Sequence, residues 1–250
     1  MTPLCRLIAI LALCLHCLPA RSEGLVATVA PSRIAISSSY SGGTVVVFGA
    51  VQTNSLSSRP YDVAVVVTGP RQTVVTERKG RIAGIWVNRE SRTFYNVPSF
   101  ISIRANRPLH SIAPADVLRR QGIGLKNALF NAGLPPDGDD PFLINFVNVR
   151  LQEGLFNERF DGVIFLSRTV FRTEIRLPDN VPVGDYDVDL KLFQNDEMVG
   201  ETLAAFTVVK IGVEDFVVNA AANHSLVYGL TVASMALFTG WLASIAFRRD

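Results

Sequence analysis

From Leu226 to Phe247 the chain runs for 22 residues without a charged side chain, and Arg248-Arg249-Asp250 follow. As an α-helix that stretch is about 33 Å long, enough to cross a hydrocarbon core of about 30 Å. It therefore predicts a transmembrane helix over residues 226–247, with the lipid bilayer as its first partner. Arg248 and Arg249 put the short tail, residues 248–250, on the cytoplasmic side, while Glu214 and Asp215 lie across the membrane. Tyr228 and Trp241 fall near the two ends, where aromatic rings favour the interface. Ala236, Gly240 and Ser244 recur every four residues on one face. That spacing lets a second membrane helix approach closely, although small residues are common in such helices in any case.

The other end has a different apolar run. Arg6 precedes twelve residues, Leu7 to Leu18, interrupted only by His16. Twelve residues are too few to span a bilayer, which needs about 20, but they suit the apolar region of a secretory signal. Ala20-Arg21-Ser22 carries small residues at the two positions a signal peptidase reads, which predicts a signal over residues 1–22 and cleavage before Glu23. An uncleaved N-terminal anchor is the alternative. Cys5, Cys14 and Cys17, the only cysteines, all fall inside this signal. The mature chain is then expected to have no disulfide, no thiolate nucleophile and no cysteine-based metal site. Lipidation is not expected either, because Leu13 and His16 precede Cys14 and Cys17 where a small residue is required.

Export places residues 23–219 outside the cytoplasm, in the periplasm of a Gram-negative cell, on a single-pass protein of the inner (plasma) membrane. Short β-branched runs at residues 25–29, 34–37, 44–51, 61–68, 73–77, 82–87 and 100–103 alternate with turn signals such as Gly42-Gly43, Gly69-Pro70 and Lys79-Gly80. About ten residues per strand is the spacing of a sandwich or barrel. The alternation is strictest from Asp185 to Leu192: Tyr186, Val188, Leu190 and Leu192 share one face, and Asp185, Asp187, Asp189 and Lys191 the other, predicted to be solvated. Val183-Gly184-Asp185-Tyr186-Asp187-Val188 is similar to the tyrosine corner of immunoglobulin-like sandwiches, with Val188 where an antibody domain has cysteine. The expected fold is mainly β, an Ig-like β-sandwich, with a helical insertion over about residues 112–159. In that insertion short helices are predicted at residues 114–121 and 125–132, broken by Gly122-Ile123-Gly124. Asp140 caps and Pro141 opens a longer one, to about Phe156, whose apolar residues pack on the sandwich.

A net charge of +2 gives no global argument for nucleic-acid binding, which usually shows as a basic stripe and a pI well above 9. The charge is nonetheless uneven. Residues 23–130 hold 13 Lys/Arg and 5 Asp/Glu, residues 131–219 hold 7 and 16. Mutual attraction of neighbouring surfaces accounts for this simply. The sharper possibility is a basic patch of Arg71, Arg78, Lys79, Arg81, Arg89 and Arg92 that meets anionic lipid or an acidic partner.

Catalytic signals are sparse. His110 and His224 are the histidines beyond the signal, neither with a second His close in sequence. There is no nucleophile elbow and no phosphate-binding loop. Asp137-Gly138-Asp139-Asp140 has the look of a calcium loop, but Pro141 and Asn148 fall where such a loop needs other ligands. No catalytic residue, cofactor or metal is assigned.

Ser41-Gly42-Gly43-Thr44-Val45-Val46-Val47-Phe48-Gly49-Ala50, Tyr61-Asp62-Val63-Ala64-Val65-Val66-Val67-Thr68-Gly69-Pro70 and Arg81-Ile82-Ala83-Gly84-Ile85-Trp86-Val87-Asn88, with the signal and the terminal helix, resemble a family of transmembrane proteins of alphaproteobacteria. The resemblance covers essentially the whole chain. It implies a cell-envelope setting and carries no activity and no catalytic residues. The resulting expectation is a membrane-anchored binding or accessory module that contacts a protein of the inner membrane or envelope. The alternative is an anchored enzyme or small-ligand binder with a site near His110 and the Asp137–Asp140 loop.

Overall fold

The structure is a computed structural model that describes residues 24–52, 60–82, 85–135, 140–212, 217 and 221–246. The expected signal (1–22), Asp137, Asp139 and the tail at 248–250 lie outside the described residues. The described residues form twelve strands: β1 (Gly24–Ala30), β2 (Arg33–Ile36), β3 (Gly43–Gln52), β4 (Asp62–Thr68), β5 (Arg71–Ile82), β6 (Ile85–Pro98), β7 (Ile101–Ala105), β8 (Phe156–Arg159), β9 (Val163–Phe165), β10 (Val170–Leu177), β11 (Gly184–Gln194) and β12 (Glu197–Lys210). One sheet has the order β1-β3-β10-β9 and a second β2-β12-β11-β4-β7-β8, while β5 and β6 pair with each other as a separate ribbon. Pairing is antiparallel throughout, except β2 with β12 and β7 with β8.

The strands form where β-branched residues alternate, and the alternation decides which side chains enter the core. On β11, Tyr186, Val188, Leu190 and Leu192 are fully buried, as their period of two requires. They join Val45, Val47, Phe171 and Ile175 of the four-stranded sheet in one apolar cluster. Tyr186 Oη donates to the Pro182 carbonyl at 2.6 Å, and its ring stacks on Phe206 with centroids 4.8 Å apart. Burial pushes the Tyr186 hydroxyl up from its ordinary value, which keeps it a neutral donor. Gly49 has a packing reason. It pairs directly with Phe171, and a Cβ there would overlap the Phe171 ring.

Between β7 and β8 the chain makes a turn at Leu109–Ser111 and then helices α1 (Ala115–Arg120), α2 (Leu125–Asn131) and α3 (Pro141–Gln152). Gly122 and Gly124, at φ +65° and +105°, make the break between α1 and α2. Asp140 caps α3 by accepting from the Phe142 N–H at 3.1 Å, with Pro141 at the first helical position. The helix stops earlier than the periodicity predicts. Gly154, at φ +72°, ends it, and Phe156 enters β8 beside β7. Nor does α3 bury all its apolar residues: Leu143 and Phe146 are buried, while Ile144, Val149 and Leu151 are exposed.

Two further departures have physical causes. Lys79-Gly80 was expected to turn, but β5 runs through it with a register shift after Arg78. Lys191, expected on a solvated face, is 4% exposed. Its strand neighbour β4 is buried on both faces, so this end of β11 has no open side. The ammonium is kept charged there by Asp189 at 2.6 Å and Glu201 at 2.9 Å. Burial works against the charge, and the hydrogen bonds to Asp189 and Glu201 outweigh it, so the Lys191 pKa rises. Lys191→Met leaves Asp189 partly buried without its cation and is expected to destabilise the fold by about 2–3 kcal/mol, measured by denaturant unfolding. A loss under about 0.5 kcal/mol in the same titration would mean the triad is merely solvated.

The last element, α4 (Ser225–Ala246), matches the predicted apolar segment within one residue at each end. Its side chains are exposed along nearly its whole length, Leu226 to 83% and Leu237 to 77%.

Candidate functional site

His110 sits in the Leu109–Ser111 turn and is exposed. Asp140, the described member of the acidic loop, spends its carboxylate on capping α3 and on Arg92, whose Nη1 lies 3.0 Å from Oδ2. No hydrogen bond or ion pair joins His110 to Asp140 among the described residues. Asp185, Asp187 and Asp189 do not form a cluster either, because Asp185 accepts from Thr207 Oγ1 and Asp189 serves Lys191.

The predicted basic patch is gathered on one element. Arg71, Arg78, Lys79 and Arg81 lie on β5, and Arg89 and Arg92 on β6. The base of this ribbon is anchored: Phe94 and Val97 are buried, and the Phe94 ring meets Phe146 of α3 at 5.9 Å. Partway along the ribbon, Arg78 stands opposite Glu90 at 3.8 Å in an exposed pair. Arg71 Nη1 donates to the Asn96 carbonyl at 3.3 Å, which ties the ribbon's two strands at its root. Between the ribbon and α3 lies a surface cavity of about 480 Å³, bounded by Thr76, Arg78, Phe142 and Ile144.

A second site has no counterpart among the sequence expectations. Arg104, on β7, is only 4% exposed. Its Nη1 donates to Asn157 Oδ1 at 2.6 Å and to its own neighbour's carbonyl, Ile103, at 3.1 Å. Its Nε donates to the Glu174 carbonyl at 3.3 Å, so the side chain reaches from the six-stranded sheet to the four-stranded one. Gly162 makes this possible, since a Cβ there would overlap the Arg104 stem. The Gly162 N–H donates to the Ala105 carbonyl at 3.0 Å, and its own carbonyl accepts from Thr173 Oγ1 at 2.7 Å. Ser102 Oγ donates to the same Asn157 Oδ1 at 2.9 Å. Arg104 opens onto a cavity of about 270 Å³ lined also by Arg159, Asp161, Arg172, Glu174 and Arg176. Burial first, then the like charge of Arg159, pulls the Arg104 guanidinium down to about 10.

A nearby arginine shows the contrast. Arg107 is paired with Asp62 through both Nε, at 2.7 Å, and Nη2. Asn106 Nδ2 donates to the same carboxylate at 2.8 Å, which closes the β4–β7 edge. Among the described residues, no carboxylate lies within ion-pair distance of Arg104. Its position was detectable in the sequence only as a lone arginine in Ile101-Ser102-Ile103-Arg104-Ala105. Nothing local says that both faces of that strand are covered.

A β-rich body followed by an exposed apolar helix of 22 residues defines a class: β-domain proteins with, among the described residues, one candidate membrane span near the C-terminal end. The chain belongs to the family described as "Putative transmembrane protein (Alph_Pro_TM)", whose profile matches residues 24–249 and so takes in sheets, ribbon and helix together. No curated protein matches it. Among solved structures it is similar to the native conformation of Escherichia coli alpha-2-macroglobulin, with 12% identity and a TM-score of 0.29 over 77% of this chain. The match spans about a tenth of that much longer protein, and a superposition that loose carries no inference.

Proposed function

We propose that this is a single-pass inner-membrane protein whose Ig-like β-sandwich stands in the periplasm as a binding or accessory module, with the β5–β6 ribbon as its contact surface for an envelope protein. The signal-like residues 1–22 and the arginines after the apolar helix support that orientation. The Tyr186–Pro182 hydrogen bond, with Val188 buried two residues on, supports the Ig-like assignment.

The ribbon is the observation that carries the proposal. Among the described residues its two strands pair only with each other, over registers from Arg71–Pro98 to Ile82–Ile85, and belong to neither sheet. A two-stranded ribbon alone is marginal in water. This one is held at its base by Phe94 and Arg92, and its arginines Arg78, Arg81 and Arg89 are exposed. Charged side chains on such an edge also discourage pairing with unrelated strands, so contact there favours a partner of complementary charge.

A photo-crosslinking residue at Arg89, in intact membranes, is expected to give a discrete protein adduct, whereas the same residue at Asp187 on the main sheet gives none. Adducts from both positions alike, or lipid adducts alone from Arg89, would remove the ribbon from this role.

A further inference from the structure

We propose that the cavity beneath Arg104 is a binding site for a dianionic oxyanion of the sulfate or phosphate class. This stands apart from the ribbon and rests on different residues. Arg104, Arg159, Arg172 and Arg176 line the cavity against Asp161 and Glu174, which leaves a net charge of two positive. The two acids are already engaged, Asp161 with Arg159 at 3.6 Å and Glu174 with Arg172 at 3.5 Å. Among the described residues, the hydrogen-bond partners of Arg104 are neutral oxygens, and those use Nε and Nη1.

A guanidinium buried to this degree is costly unless a counter-charge meets it. Here the fold fixes the side chain before any ligand arrives. Gly162 leaves room for the stem, and Asn157 and two carbonyls fix the planar head. A pre-oriented guanidinium with further arginines at the rim matches the geometry by which oxyanions are recognised. The volume, about 270 Å³, admits one such group with a little of what it is attached to. The same chemistry is offered by a free inorganic anion and by a terminal phosphate on a lipid headgroup.

The test uses the full chain in neutral detergent micelles and isothermal titration with sodium sulfate, inorganic phosphate and a short-chain phosphatidic acid, each against sodium chloride at matched ionic strength. Saturable binding of sulfate or phosphate identifies a free anion as the ligand. Binding of phosphatidic acid alone identifies a headgroup. Arg104→Met is expected to weaken either by about ten- to a hundredfold, the loss of a charged hydrogen bond. Because Arg104 joins the two sheets, the exposed rim gives a second arm. Arg159→Ala with Arg176→Ala leaves the core untouched and is expected to weaken binding at least about fivefold. If no probe binds above the chloride control, or the rim variant binds as well as the parent, the cavity is no oxyanion site.

Discussion

Tyr186→Ala is expected to destabilise the β-rich body by about 3–5 kcal/mol, as removal of a fully buried aromatic ring does. Three contacts disappear together. The ring stacks on Phe206 at 4.8 Å and meets Phe100 edge-on at 5.7 Å, and its hydroxyl fixes the Pro182 carbonyl. The neighbourhood has little slack to fill the gap, because Gly69 is already so close that a Cβ there would lie 2.9 Å from the Tyr186 ring. Tyr186→Phe separates the parts. It keeps the ring and removes only the hydrogen bond, so it is expected to cost about 1 kcal/mol. Urea unfolding of the purified chain, followed by the β-sheet signal in far-ultraviolet circular dichroism, reads both. If Tyr186→Ala loses no more than Tyr186→Phe, the ring is not a core element and the corner is decorative.

What made Tyr186 legible in the sequence also explains what was not. Its face is set by neighbours two residues away, and its hydroxyl reaches back only four, to Pro182. The Asp140-Pro141 start of α3 is legible for the same reason, since cap and first turn lie within three residues. Arg104 is different. Its partners, Asn157 and Glu174, are 53 and 70 residues away, and β7 meets β8 only after the whole helical segment has been crossed. Lys191 read as solvated because alternation assigns a face but cannot say whether that face is covered. Residues 89–92 of β6, beyond the strand expected at 82–87, carry no strand signal for the opposite reason. Their side chains are exposed, so they have no apolar period to betray a strand, and pairing with β5 makes them one. Charge clustering in the ribbon was visible, though its concentration on one hairpin was not, because the turn was placed at Lys79-Gly80.

Arginine at both Ala233 and Leu237 is expected to abolish stable membrane insertion. Near the middle of a spanning helix each arginine opposes insertion by about 2.5–3.5 kcal/mol, so the pair approaches about 6 kcal/mol. α4 has what a span needs. Its apolar window has a mean hydropathy of 1.6, and none of that window is buried against the body. Its interior backbone groups are satisfied within the helix, and so are its two threonine hydroxyls: Thr231 donates to the Val227 carbonyl at 2.8 Å and Thr239 to the Met235 carbonyl at 2.7 Å. Left in water, Leu237, Phe238 and Trp241 would form an exposed apolar surface of the kind that aggregates. Position separates a loss of spanning from a loss of folding. Leu226→Arg, at the end of the helix, can extend its charge to the headgroups and is expected to leave insertion intact. Alkaline carbonate extraction then distinguishes the cases: the parent and Leu226→Arg stay with the membrane pellet, and the double variant moves to the supernatant. A double variant still retained after extraction would mean that something other than α4 holds the protein in the membrane, such as an uncleaved segment at residues 1–22.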